Sequence, residues 1–257
     1  MPSVKFAVTV LMLLSLNASS QISRESGPAI SLYLTFDDGP MEISHFLDSV
    51  VVKDSIPLTV FLVGFRVSAS GAMRQRLENY RRDTAFEIGN HSYSHASGHY
   101  RLFYADHGQV VNDIVRNADS LKLTDQMVRL PGRNTWRIGA RKRTDLIDAN
   151  AAADSLAALG YSLVGWDAEW KIDTCENRYS TADEMISRVN MLVHSKRTFE
   201  KGHVVILCHD WALADPFFRE ELHSFISKIK KEDCMSFAHL RRYPGLLTGD
   251  EKLTFHQ

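Results

Sequence analysis

The sequence predicts an α/β fold with a mostly parallel sheet of roughly six to eight strands, a number that suits a barrel better than a small open sheet. Two observations carry that reading. Apolar runs of strand type alternate with amphipathic helical runs along the chain, the pattern of successive βα units. Ionisable residues also collect at the C-terminal ends of the strands: Asp37-Asp38, His91, Arg129, Asp167 with Glu169, and His209-Asp210. In α/β folds that face carries the active site.

The elements follow in order. "MPSVKFAVTVLMLLSLNASSQ" has one lysine, an apolar run from Phe6 to Leu16 and small residues at Ala18 and Ser20. This is the pattern of a signal peptide over residues 1–20, with an apolar run too short to span a bilayer comfortably. No cysteine stands near the cleavage point, which argues against a lipid anchor. The expected product is a single domain over residues 21–257, exported to the periplasm or the medium, with no stable membrane span. "ISLYLTF" reads as the first strand and "SHFLDSVVVKD" as a helix ending before Ile56-Pro57. "LTVFLVG" is a continuous apolar run, hence a buried strand. A helix through "AMRQRLENYRR", a strand "FEIGNH" and a helix "VVNDIVRNADSLKL" follow, then a strand "MVRLPG" closed by Pro-Gly. "TDLIDANAAADSLAALG" reads as a helix with Gly160 at its C-terminal end, and "YSLVGWDAEW" as a strand. "TADEMISRVNMLVHSK" is a helix capped by Ser180 or Thr181. "HVVILCHD", "PFFREELHSFISKIKK" and "MSFAHL" complete the pattern as strand, helix and strand.

Composition narrows the function. The chain of 257 residues is 44% hydrophobic and 24% charged, with a formal net charge of -1. That is a globular composition without the basic excess of a nucleic-acid binder. The three cysteines are Cys175, Cys208 and Cys234. Cys208 sits in an apolar run as a buried thiol, and Cys175 with Cys234 is the pair that export would permit to bond. No G-x-S-x-G, G-x-G-x-x-G, P-loop or H-E-x-x-H motif is present.

The residues at the strand ends suggest hydrolysis assisted by a metal. In "HSYSH", His91 and His95 are four apart, so one helical turn would turn both imidazoles to one ion; His95 with His99 is a competing pair. Two histidines and a carboxylate form a three-ligand set that leaves a coordination position for water. One aspartate of the Asp37-Asp38 pair can supply that carboxylate and the other can act as general base. Capping of the loop after the strand explains one aspartate better than two. Arg129 needs a carboxylate partner if buried, and a general-base aspartate would serve. His209 has the chemistry of a general acid, with Asp167 or Glu169 to hold its proton. Tyr93, Trp136, Trp166, Trp170 and Trp211 lie near the strand ends, where aromatic rings suit sugars as well as core packing.

Together these residues resemble the polysaccharide deacetylases of the NodB-homology type, carbohydrate esterase family 4, from about Leu32 to Leu240. "TFDDGP" looks like the first family motif, which makes Asp37 the base and Asp38 a metal ligand. "HSYSH" is similar to the second, with His91 and His95 as the other ligands. "RLPG" is similar to the third, with Arg129 as partner of Asp37 and Pro131 at the substrate groove. "LCH" looks like the fifth, with Leu207 lining the acetyl-methyl pocket and His209 as general acid. The fourth motif departs: "WDAEW" stands where the family has D-x-x-D-W. Glu169 then falls on the acid partner of His209, Asp167 is its rival, and Trp170 and Tyr93 join the substrate side. The resemblance implies a distorted (β/α) barrel, commonly of seven strands, and one divalent ion, Zn2+ ahead of Co2+ or Ni2+. It implies removal of acetyl groups from N-acetylated sugars or acetylated glycans. The rival readings are hydrolysis of another carbon–nitrogen amide on the same scaffold, and non-catalytic carbohydrate binding.

Overall fold

The computed structural model describes residues 30–246. The expected signal peptide lies outside the described residues. In chain order the strands are β1 (Ile30–Gly39), β2 (Leu58–Leu62), β3 (Phe86–Asn90), β4 (Met127–Val128), β5 (Thr135–Ile138), β6 (Arg141–Thr144), β7 (Ser162–Leu163), β8 (Ala168–Glu169), β9 (Ile172–Asp173), β10 (Arg178–Tyr179), β11 (His203–His209) and β12 (Met235–Phe237). The helices are α1 (Phe46–Asp54), α2 (Gly64–Ala69), α3 (Gly71–Arg82), α4 (Tyr100–Ala105), α5 (His107–Leu121), α6 (Asn150–Ala158), α7 (Ala182–His194) and α8 (Pro216–Ile229).

The sheet runs β6-β5-β7-β4-β3-β2-β1-β11-β8, with β12 added beside the start of β1. From β7 to β8 every pairing is parallel, a run of seven strands as the expected barrel requires. The two ends of that run lie on one segment of chain. On one side Ser162 N and Val164 N donate to Gln126 O and Val128 O; on the other Asp167 N and Trp170 N donate to Val205 O and Leu207 O. Residues 162–170 therefore close the curled sheet.

Alternation along the strands sends one set of side chains outward and the other inward. Leu32, Leu34 and Phe36 of β1, with Val204, Ile206 and Cys208 of β11, face outward under the helices. Tyr33 and Val205 face inward with Phe61, Trp136 and Val164, and this interior is plugged from below by Leu240, Tyr243 and Leu246. Each such aliphatic or aromatic side chain contributes about 1.5–3 kcal/mol on full burial. The helices start where their caps place them. Thr181 and Glu184 form a capping box on α7, and Asp215 accepts from Phe217 N with Pro216 in the first turn of α8.

Several local expectations are corrected. β1 continues past Phe36 to Gly39, with a register shift against β2 between them. The run "MVRLPG" is a strand only at Met127–Val128, because Pro131 has no N–H and residues 131–132 turn. Helix α6 begins at Asn150, and the stretch before it includes β6 of an antiparallel hairpin with β5. The run "YSLVGWDAEW" is interrupted because its middle carbonyls, Val164 O and Gly165 O, accept from the Arg129 guanidinium at 3.0 and 2.8 Å. All three cysteines are free, Cys175 exposed and Cys208 buried, so no disulfide joins Cys175 to Cys234.

Candidate active site

Parallel register brings the first residues together. Asp37 of β1 is level with His209 of β11, and Leu207 is level with Glu169 of β8. Neighbours in register on one face of a sheet project side by side, so Asp37, Leu207, His209 and Glu169 line one cleft. The cleft encloses about 260 Å³, and Asp38, His91, His95, Tyr100, Gly132 and Trp166 complete its lining. Asp38 has φ 71°, and this left-handed turn at the end of β1 directs the second aspartate to the cleft as well.

The two histidines do not meet through helical spacing. They sit in a loop after β3 in which Ser92 and His95 are both left-handed, at φ 66° and 51°. Side chains satisfy the backbone of that loop. Asn90 Oδ1 accepts from Ser92 N at 2.9 Å, Ser92 Oγ accepts from His95 N at 2.9 Å, and Asp113 Oδ2 accepts from Tyr93 N and Ser94 N at 3.0 Å each. Asn117 of α5, fully buried, donates to Asn90 Oδ1 at 2.8 Å and to Leu62 O at 2.9 Å.

These side chains form a candidate cation site. One donor atom each from Asp38, His91 and His95 lies within 4.8 Å of the other two. His91 Nδ1 is 2.8 Å from Arg129 O, which assigns its proton there and leaves Nε2 bare. Asp38 Oδ1 is 3.4 Å from His91 Nε2 and 2.8 Å from His95 Nε2, yet it is buried and takes part in no hydrogen bond. A buried carboxylate oxygen facing two ring nitrogens is a donor set suited to a divalent ion. Burial raises the Asp38 carboxyl, but the two imidazoles outweigh it and hold the group below the ordinary range. Burial lowers His91, and the Asp37 and Asp38 carboxylates outweigh that and raise it.

Asp37 has a different set of neighbours. Its Oδ1 accepts from Arg129 Nη1 at 2.9 Å, and its Oδ2 is 3.6 Å from His91 Nε2. Arg129 is fully buried over the Phe61 ring, and its remaining donors go to Thr35 Oγ1, Val164 O and Gly165 O. These bonds orient the guanidinium, which fixes one carboxylate oxygen of Asp37 and leaves the other toward the cleft.

Four predicted residues stand elsewhere. Asp167 is turned away from the cleft: its buried carboxylate accepts from Phe199 N and Val205 N and pairs with Arg143. Trp170 is fully buried between Phe218 and Phe225 and donates to Ser180 O. Tyr93 lies outside the cleft under Arg116, 3.5 Å from its ring centroid. Pro131 is buried and accepts from Tyr104 through its carbonyl, while the next residue, Gly132, reaches the cleft. Sequence reasoning missed Tyr100, whose ring stands edge-on to His95 at 5.8 Å. Asp210, noted in the sequence beside His209 at the strand end, is buried under Gly39 and accepts from Ser44 Oγ.

The sequence profile of the polysaccharide deacetylase family matches residues 24–155, more than half of the chain of 257. The chain belongs to that family. The match covers both aspartates, both histidines and Arg129. No curated protein matches the chain by sequence. Solved structures show how far the deacetylase fold extends. A CE4 esterase from Streptococcus mutans is 24% identical with a TM-score of 0.61, over 83% of this chain and 87% of that one. The catalytic domain of a peptidoglycan N-acetylglucosamine deacetylase from Eubacterium rectale is 18% identical, also at 0.61, over 86% and 93%. A family 4 carbohydrate esterase from Streptomyces lividans is 18% identical at 0.57, over 85% and 97%. The shared fold covers β11, so the polysaccharide deacetylase architecture runs past the profile match to the strand that carries His209.

Proposed function

We propose that this polysaccharide deacetylase is an exported, metal-dependent hydrolase that removes acetyl groups from N-acetylated sugars or acetylated glycans, with residues 1–20 as its signal peptide and the rest as one domain. Among the described residues no helix is long and apolar enough to cross a membrane. The observation that carries the reading is the buried Asp38 oxygen facing two imidazole nitrogens, beside a carboxylate clamped by a buried arginine.

In this reading Asp38, His91 and His95 hold one divalent ion, with Zn2+ first by the chemistry of the donor set. Bound there, the ion supplies Lewis-acid polarisation of the acetyl carbonyl and acidifies a water. Asp37 takes that water's proton on Oδ2 while Arg129 keeps the carboxylate in place. Leu207 packs against the acetyl methyl. His209, beside Asp37 in register, gives a proton to the departing amine or alcohol. Burial and then the Asp38 charge raise the Tyr100 hydroxyl, so it stays protonated at the mouth of the cleft and can donate to a sugar.

Acetate release from peptidoglycan, chitin oligomers and acetylated xylan, with and without a chelator, tests this. Release that stops on chelation and returns with zinc is expected. Metal binding without acetate release from any glycan, or release only from small amides, would replace it with one of the rival readings.

A further inference from the structure

We propose that Trp211 is the positioning residue of His209: an indole stack, rather than a carboxylate, aims the imidazole at the leaving group. The proposal rests on the reading of His209 as general acid. The two rings stack at 5.1 Å between centroids and 24° between planes. The short 3-10 turn Asp210–Ala214 after β11 folds Trp211 back over the residue two before it. The indole is braced in turn. Tyr179 of β10 lies 6.4 Å away, is 2% exposed and packs on Phe218 at 4.9 Å. The hairpin β9–β10, the indole and the imidazole thus form one row.

No carboxylate does this work. Among the described residues no hydrogen bond or ion pair reaches the His209 ring. Glu169 lines the same cleft, but its carboxylate pairs with Lys171 at 3.9 Å and its carbonyl accepts from Arg188 at 2.8 Å. Asp167 is committed to Phe199, Val205 and Arg143. Asp210 is buried and accepts from Ser44. An imidazole at a strand end with no polar anchor has two free torsions, and a face-to-face stack removes most of that freedom. This accounts for a tryptophan kept 42% exposed at the rim of the cleft.

The test uses the full chain as wild type, Trp211→Ala, Trp211→Phe and His209→Ala, at matched metal content. The probes are an N-acetylglucosamine oligomer, whose amine must be protonated to leave, and p-nitrophenyl acetate, whose phenolate leaves without a proton. Trp211→Ala is expected to lower kcat on the oligomer roughly 10- to 100-fold, part of what a general acid contributes. KM and the rate on the activated ester should each stay within about two-fold on the same argument. Trp211→Phe should recover most of the loss. A rise in KM at unchanged kcat would make the indole a sugar platform and overturn the proposal, as would equal slowing of both probes. A second readout needs no turnover. The emission of Trp211, obtained as the difference between wild type and Trp211→Phe, should rise when His209→Ala removes the stacked imidazole, and an unchanged emission overturns the stack. If His209→Ala keeps the oligomer rate while that emission rises, the general-acid reading fails and the stack stands as geometry alone.

Discussion

Adjacent aspartates at the end of β1 have separate surroundings, and each should fail differently when changed. Asp37→Asn keeps the Arg129 contact but cannot take a proton, so acetate release should fall by about 10²–10⁴-fold with zinc still bound at wild-type stoichiometry. Elemental analysis beside a rate assay checks both halves. Asp210 predicts a pH effect on stability. Burial, followed by the Asp38 and Asp37 charges, raises its carboxyl to about 7, against about 3.9 in an unfolded chain. The folded state therefore holds a proton that the unfolded state releases. The resulting stability is complete below about pH 4 and is lost as pH rises through about 7, at up to about 1.4 kcal/mol per pH unit. Asp210→Asn should abolish that slope, which urea unfolding of the metal-stripped protein at several pH values would reveal. The carboxylates, imidazoles and arginine of the site were legible in the sequence because their types and order are dictated by chemistry. Tyr100 was not, since an aromatic residue opening a short helix looks the same whether it faces a cleft or the core. Asn117 could have been noticed: it stands on the stripe Val110, Ile114, Leu121 of α5, where a polar side chain must have a buried partner.

At the scale of elements, continuous apolar runs such as β2 and β11 were readable because parallel strands are buried on both faces. The segment 162–170 was misread as one strand because its backbone partners are side chains from distant positions, Arg129 and Asn134, which no local pattern announces. The β5–β6 hairpin was hidden for a related reason. Its basic residues find carboxylates outside it, Arg137 in Asp154 and Arg141 in Glu200. Gly165 is where the closing segment is tightest. A Cβ there would lie 2.1 Å from Asn134 Oδ1 and 2.4 Å from Trp136 Nε1. Gly165→Ala should cost about 1–3 kcal/mol by overpacking, seen as a lower urea midpoint, and should slow catalysis by displacing the carbonyl that holds Arg129.

For the whole molecule, the ion and the fold should be linked. The three proposed ligands come from the end of β1 and the loop after β3, so an ion held by them would bind the folded chain far better than the unfolded one. Zinc at about a hundred times its Kd should then add about 2.7 kcal/mol and raise Tm by several degrees. His91→Ala should show neither the shift nor bound zinc; stoichiometric zinc in that variant would contradict the ligand set. The closing segment carries a consequence for how such a protein can diverge. Residues 162–170 fasten the two edges of the sheet, supply two carbonyls to the arginine that holds Asp37, and place Trp166 and Glu169 in the wall of the cleft. Clasp and cleft wall thus fall within the same nine residues. A loop on an open rim can be exchanged freely, but this stretch can reshape the cleft only through replacements that still fasten the barrel.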